Sequence, residues 1–357
     1  MPQLESTEKP SLDNHAGPAA ATAMDLSEIG EFGFINRIRR LVTHSNPALT
    51  TGIGDDAAVL EPGEGFGVLL STDAMVEGRH FRREWMSPRQ IGGRAAAAAL
   101  SDIAAMGGEA LAILCTVCID PAWPVDDAER LFLGMQALAE RFGAGLAGGD
   151  VISAPGPLLI DITAVGRARR SRVWYRGGAH AGDRLLVTGC LGDAAGAVDL
   201  LNSEDALNID CFPGLLTALR EPAPRLDVAA ALAGNRTIHA AIDTSDGLLG
   251  DAGHVAEASG VGIRIDAADI PVSGELLDCA RLLRRDPLLW AAAGGEDFEL
   301  LLAVDPSAAD DICASLHERG VRSADIGHVV EGDGVSLLDE TGIEITMERG
   351  GWDHFGR

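Results

Sequence analysis

At 357 residues the chain is long enough for two domains of common size, each with a buried core. Its 54 acidic residues against 28 Lys plus Arg give a formal charge of -26, which argues against nucleic acid and anionic membrane surfaces as partners and implies that an anionic ligand arrives with metal. Gly, Asp and Arg interrupt every apolar stretch before it could span a bilayer, so no membrane association is expected.

In chain order, Met1 to about Ser27 is rich in Pro, Ala and polar residues, lacks the basic start and apolar core of a secretory signal, and is expected to be a disordered tail. Phe34, Ile35, Ile38, Leu41 and Val42 give Glu31 to His44 helical spacing. Gly52 to Leu60 and Gly67 to Asp73 read as strands on either side of the Pro62-Gly63 turn. From Ser87 the spacing turns helical through Ile91 to Met106. The alanines at 95 to 99 permit close packing there, Gly107-Gly108 stops the helix, and burial is expected. Leu111 to Ile119 predicts a strand, Val125 to Phe142 a helix and Leu158 to Gly166 a strand.

The segment Arg167 to Arg176, with arginines at 167, 169, 170, 172 and 176, is the most basic of the chain and is expected to connect a first domain over 28–168 to a second over 169–357. Beyond it, strands are predicted over Asp183 to Gly189, Ile238 to Asp243, Gly262 to Asp266, Leu300 to Val304 and near Ile326 to Val330, with helices over Asp193 to Leu201 and Gly247 to Ala258. No repeat period of roughly 20 to 50 residues is present. The expected class is mixed α and β in two domains. The six cysteines, at 115, 118, 190, 211, 279 and 313, fall mostly in apolar stretches without an export signal, so reduced thiols and a cytoplasmic location are expected. Cys115 and Cys118 have CxxC spacing, but strand alternation points their sulfurs to opposite faces, and they read as small apolar side chains.

Acidic residues recur beside glycines or hydroxyls at the ends of apolar runs: Gly54-Asp55-Asp56, Ser71-Thr72-Asp73, Ser101-Asp102, Gly148-Gly149-Asp150, Asp243-Thr244-Ser245-Asp246 and Gly294-Gly295-Glu296-Asp297. Carboxylates in such places, with no Lys or Arg close in sequence, call for a cation, and hard divalent ions take oxygen ligands. The pattern implies a magnesium-dependent enzyme that handles phosphates. Asp102 lies near the C-terminal end of its helix, where the helix dipole disfavours negative charge, so either solvent or a cation must compensate. Ser71, Thr72 and Asp73 leave a strand on alternating sides, so they can serve two ions. Adjacent Asp55 and Asp56 repel unless a cation lies by them, although an Asx turn accounts for one. Gly148-Gly149 suits close approach of backbone amides to a phosphate. Ser245 or Asp246 can cap the following helix or hold metal-bound phosphate there; capping leaves Asp243 unexplained.

There is no Gly-x-x-x-x-Gly-Lys-Ser/Thr loop, no kinase-type His-Arg-Asp loop, no Gly-x-Ser-x-Gly elbow and no His-Glu-x-x-His helix, so a different phosphoryl-transfer architecture is required. Taken in order, Gly52-Ile53-Gly54-Asp55-Asp56-Ala57-Ala58, Ser71-Thr72-Asp73, Leu100-Ser101-Asp102-Ile103-Ala104-Ala105-Met106-Gly107, Gly148-Gly149-Asp150, Asp243-Thr244-Ser245-Asp246-Gly247-Leu248 and Gly294-Gly295-Glu296-Asp297-Phe298-Glu299-Leu300 closely resemble the thiamine-monophosphate kinase family, from about Glu31 to Phe355. The resemblance implies the PurM-like fold shared with aminoimidazole ribonucleotide synthetase and selenophosphate synthetase, with an N-terminal α/β domain that dimerises and a C-terminal α/β domain. It implies transfer of the ATP γ-phosphoryl group onto the phosphate of thiamine monophosphate, in a cytoplasmic homodimer. By the same resemblance, Asp56, Ser71, Thr72, Asp73, Asp102, Asp150, Asp243 and Asp246 hold several magnesium ions; Gly149, Asp150, Arg176 and Ser245 contact ATP; His80, Glu296 and Trp352 face the thiamine substrate. Packing for Trp352 and a structural role for His80 stay open as alternatives. The chain departs from the family pattern at Val151-Ile152-Ser153-Ala154, where Thr-Thr-Arg usually follows the Gly-Asp pair. Selenophosphate synthetases usually carry a reactive Cys and Lys near the N-terminus, whereas the first cysteine here is Cys115.

Overall fold

Two six-stranded sheets carry the two halves of the chain in the computed structural model, which describes residues 49–51, 55–63, 65–203 and 209–347. The expected tail, the helix expected over Glu31 to His44, and Trp352 lie outside the described residues. The first half comprises β1 (Leu49–Thr51), β2 (Ala58–Gly63), β3 (Phe66–Val76), helix α1 (Pro88–Ala105), β4 (Glu109–Ile119), helix α2 (Val125–Arg141), β5 (Leu146–Ser153) and β6 (Leu159–Arg169). Its strand order is β1-β2-β3-β6-β4-β5. Among its described residues only β4 and β5 pair in parallel, and α2 makes the crossover that a parallel pair needs.

The second half comprises β7 (Arg184–Thr188), α3 (Asp193–Asn202), α4 (Pro213–Arg220), α5 (Leu226–Ala231), β8 (Ile238–Asp243), α6 (Leu248–Ser259), β9 (Gly262–Asp266), α7 (Gly274–Leu283), α8 (Pro287–Ala293), β10 (Leu300–Val304), α9 (Ala309–Glu318), β11 (Ser323–Val330) and β12 (Val335–Leu338). These strands run in the order β12-β9-β11-β7-β10-β8. Among the described residues, no helix is long and apolar enough to cross a membrane.

Helix α1 is the pivot of the molecule. Ser87 caps it in a box with Gln90: Gln90 N–H donates to Ser87 Oγ at 3.4 Å, while Ser87 N–H donates to Gln90 Oε1 at 3.0 Å, and Pro88 occupies the first turn. Its buried residues, Ile91 and the run Arg94 to Ser101 among them, lie all round the cylinder, because one side packs on β3 and β6 while the other meets α5 and β8. The alanines let both domains come near. Gly92 and Gly134 set the crossing with α2: an added Cβ would stand 1.9 Å from the Leu131 or Arg89 carbonyl oxygen. Fully buried Leu100 and Ile103 each contribute about 1.5 to 3 kcal/mol to this junction.

Several segments differ from expectation. Gly148-Gly149-Asp150, read as backbone suited to close approach of a phosphate, lies in edge strand β5; a Cβ on Gly149 would fall 1.8 Å from the Cys115 carbonyl oxygen, so close strand packing demands the glycine. The basic segment after Gly166 begins as strand, since β6 continues to Arg169 with Arg167 and Arg169 pointing outward on either side of buried Ala168. Helices α4, α5, α7, α8 and α9 and strand β12 were not anticipated, being short, and α4, α7 and α9 are amphipathic with only one buried face. The cysteine pair behaves as expected: Cys115 is buried, its thiol pushed up to about 12 by burial, and Cys118 on the opposite face is half-buried.

Candidate active site

The last turn of α1 delivers two side chains in different directions. Ser101, fully buried, donates a hydrogen bond to Asp243 Oδ2 at 2.6 Å across the domain junction. Asp102 instead accepts a hydrogen bond from Ser71 Oγ on β3. Asp243 ends β8, and Asp56 lies just before β2. Carboxylate oxygens of Asp56, Asp102 and Asp243 thereby come within 4.8 Å of one another, contributed by both domains and by positions far apart in sequence.

The backbone around this triad is held by a second motif. Thr244 N–H donates to Glu299 O at 2.8 Å, Phe298 N–H to Thr244 O at 2.9 Å and Glu296 N–H to Ser245 O at 2.8 Å, zipping the loop after β8 onto the loop before β10. Glu296 and Phe298 adopt left-handed φ of 69° and 52° within this zip, a conformation that costs on the order of 1 kcal/mol per non-glycine residue. Asp297 accepts from Gly192 N–H at 2.9 Å at the start of α3, so this acid serves that helix end.

Electrostatics follow from crowding in a dry junction. Burial, and then repulsion from Asp56, push Asp243 up to about 8. Burial followed by Asp243, Asp56 and Asp73 holds Asp102 well above the usual carboxylate range. Asp73 rises to about 7 through burial, then Glu296, Asp161 and Asp246. Carboxylates this close do not all ionise without added positive charge. Two arginines supply part of it. Arg176 grips Asp56 with both arms, Nε to Oδ2 at 3.0 Å and Nη2 to Oδ1 at 2.8 Å, while its backbone N–H donates to Asp55. Arg94, fully buried in α1, pairs with Glu296 at 2.6 Å and donates to the Leu219 carbonyl, tying the first domain to the second.

The expected residues thus fall into groups. Asp56, Ser71, Asp102 and Asp243 meet directly, and Asp73 borders them, with Glu296 and Asp246 close enough to raise Asp73. Thr72 lies on the other, open face of the first sheet, where its Oγ1 donates to Asp161 Oδ1 at 2.9 Å. Asp150 shares that open face through its register with Thr116 and Asp161, three strand spacings (roughly 14 Å) from β3. It is not brought to the triad within one chain. Ser245 is half-buried in the zipped loop, and His80 closes the turn after β3 by accepting from Val76 N–H through Nδ1 at 3.0 Å. Gly149 sits with Asp150 on β5.

Arg94, Asp161 and Asp251 escaped the sequence reading. Asp251, fully buried in the first turn of α6, accepts from Gly247 N–H at 3.0 Å and stands well above the usual range through burial, then Asp246 and Asp243. Its place one turn beyond the Asp243-to-Gly247 motif was the available signal. His254, one turn further, is held down to about 4 by burial and then Arg176. A cavity of about 720 Å³ lined by Ile119, Trp123, Phe132 and Leu146 lies apart from the acids; none of the expected site residues lines it.

Two α/β domains sharing one acidic junction match the two models of the AIR synthase related proteins, the N-terminal domain over residues 54–168 and the C-terminal domain over residues 180–340. The chain is 34% identical to the thiamine-monophosphate kinase of Caulobacter vibrioides, over 96% of this chain and 94% of that protein. It is 36% identical to the thiamine-monophosphate kinase of Mycobacterium tuberculosis, over 94% and 95%. The solved structure of AaThiL complexed with AMPPCP and TMP superposes with a TM-score of 0.80 at 30% identity, covering 94% of this chain and 100% of that one. The chain belongs to the thiamine-monophosphate kinase family within the AIR synthase related proteins.

Proposed function

We propose that the chain transfers the γ-phosphoryl group of ATP onto the phosphate of thiamine monophosphate, giving thiamine diphosphate and ADP. The observation that carries this reading is the meeting of Asp56, Asp102 and Asp243 at the domain junction in a chain of this family. Donor and acceptor are both anions, and a pocket of bare carboxylates repels them. The donor set fits magnesium: every ligand on offer is oxygen, the acids outnumber the two arginines, and the upward push on Asp102 and Asp243 marks a site short of cations. Asp56, Ser71, Asp102 and Asp243 would hold one group of ions, with Asp73 and Asp246 beside them; Thr72, in contact with Asp161, and Asp150, two strands beyond Asp161, are assigned to the metal set by family resemblance. When bound, the ions neutralise and align the two phosphates.

The chain's own residues position the reactants. The acceptor phosphate oxygen is itself the nucleophile, so alignment, not a protein nucleophile, carries the rate. Arg176, now spanning Asp56, is the guanidinium offered to the ATP phosphates, and Gly149 and Ser245 contact the nucleotide from β5 and the loop after β8. Nδ1 of His80 accepts from Val76 N–H, which fixes the ring at the turn after β3, and His80 is assigned to thiamine monophosphate by family resemblance. Glu296, braced by Arg94, presents its carboxylate to the cationic thiazolium, and Trp352 is assigned to the same substrate by family resemblance. Purified protein with ATP, magnesium and thiamine monophosphate is expected to form thiamine diphosphate and ADP one to one. ADP without thiamine diphosphate would assign another acceptor.

The working unit is a homodimer in this reading. Leu111, Leu114, Val151 and Ile152 are exposed apolar side chains on β4 and edge strand β5, at the departure from the family's Thr-Thr-Arg. An edge with such side chains is an association surface unless a partner covers it. Sedimentation is expected to give twice the chain mass for the wild type and the chain mass for Val151→Lys/Ile152→Lys. A wild-type monomer at micromolar concentration would remove the dimer.

A further inference from the structure

We propose that His180, Asp183 and His239 form a second metal site, for a borderline divalent ion of the zinc class, at the end of the second sheet remote from the phosphate chemistry. Strands β7 and β8 both run antiparallel to β10, so their starts share one end of the sheet and Thr188 and Asp243 share the other. Asp183 immediately precedes β7 and His239 is the second residue of β8. His239 and Asp243 are four residues apart on the strand, roughly 13 Å. The two metal stations are therefore separate.

The donor geometry is close to that of a bound ion. His239 Nδ1 lies 2.9 Å from both oxygens of Asp183, and His180 Nδ1 lies 3.9 Å from Asp183 Oδ2. One ligand atom from each residue falls within a 4.8 Å circle. Two ligands each about 2.1 Å from one zinc stand roughly 3 to 3.5 Å apart, so the Asp183–His239 pair, now at hydrogen-bond distance, has only to part slightly to admit an ion. The His180 side chain is 71% exposed, so its ring has room to move toward the pair.

The two imidazoles meet edge to face, with centroids 4.9 Å apart and planes at 88°. Asp183 is buried and fixed by the His180 backbone N–H at 2.8 Å, so the carboxylate is preorganised and the exposed side leaves coordination positions for water. Two imidazoles and one carboxylate select zinc, nickel or copper over magnesium, whereas the oxygen-only triad selects the reverse. An ion here would clip the segment leading from Arg176 into β7 onto the start of β8, whose far end carries Asp243. The clip is structural and stands outside the phosphoryl transfer.

The test uses full-length protein stripped of metal. Zinc affinity is measured by competition with a chromophoric chelator, and copper(II) is added as a spectroscopic probe. Wild type is expected to show nitrogen hyperfine structure from two imidazoles in the copper spectrum and to bind zinc at least tenfold more tightly than His180→Ala and His239→Gln. His180→Ala, altered at an exposed ring, is expected to keep its magnesium-supported kcat. An equal zinc affinity in wild type and His180→Ala, or a copper spectrum with only oxygen ligands, would reduce the cluster to an ion pair and overturn the site.

Discussion

Asp102→Asn lowers kcat by about a thousandfold while raising the melting temperature of the ion-free protein at pH 8. The two effects share one cause. Asn keeps the shape of Asp102 and still accepts the hydrogen bond from Ser71, so the fold of α1 and β3 is untouched. What disappears is the charge. Without ions, that charge is a liability, because burial and the neighbouring Asp243, Asp56 and Asp73 oppose it. With substrates present the same charge holds the cations that let two phosphates approach, and losing one such electrostatic group costs about 10² to 10³ in rate. A structural role for Asp102 predicts lower rate together with lower stability. Steady-state kinetics and melting curves on one preparation separate these readings, and near-normal turnover would remove Asp102 from the machinery.

Ion-free wild type becomes less stable as the pH rises from about 5 to about 9, opposite to the usual acid denaturation. Asp243 stands at about 8 in the folded state and Asp73 at about 7, against 3.8 for both when unperturbed, and Asp102 is raised with them. Between these limits the folded chain holds protons that the unfolded chain has released, so stability decreases with pH. The stabilisation of the protonated site is complete below about 4 and is lost as pH climbs through 7 and 8. Asp243 alone contributes on the order of several kcal/mol to that window, although the triad titrates as a unit. Magnesium in excess binds the ionised form and is expected to flatten or invert the slope. Thermal melts from pH 5 to 9, with chelator and with magnesium, read this directly; a flat profile in chelator would mean that the acids are not crowded as described.

The acids were legible before the fold because they close apolar runs: Asp56, Asp102 and Asp243 stand at or near strand and helix ends, while Asp73, expected at a strand end, lies within β3, which continues to Val76. The Ala95–Ala99 run announced a closely packed, buried helix, and the structure adds that it is buried on more than one side. Their charge partners were not legible. A carboxylate with no Lys or Arg close in sequence was read as needing a metal, yet Arg176 reaches Asp56 from 120 residues away. Arg94 hides among apolar residues of α1, and only the packing of α1 between two domains shows that it meets Glu296. Strand alternation predicted that Ser71 and Thr72 part company, but not that Thr72 would join Asp161 on the open face, because the β3–β6 pairing brings together two residues 89 apart in sequence. Gly149 looked like phosphate-loop chemistry, and the fold adds a packing reason, the carbonyl of Cys115 against it.

The central claim is that acids from both domains share cations at their junction. Manganese(II), a paramagnetic substitute for magnesium, counts those ions directly through loss of its free electron-resonance signal in the presence of a non-hydrolysable ATP analogue. Wild type is predicted to bind more than one manganese per chain, and Asp102→Asn and Asp243→Asn each to bind at least one fewer. An ion count identical in all three proteins would contradict the account.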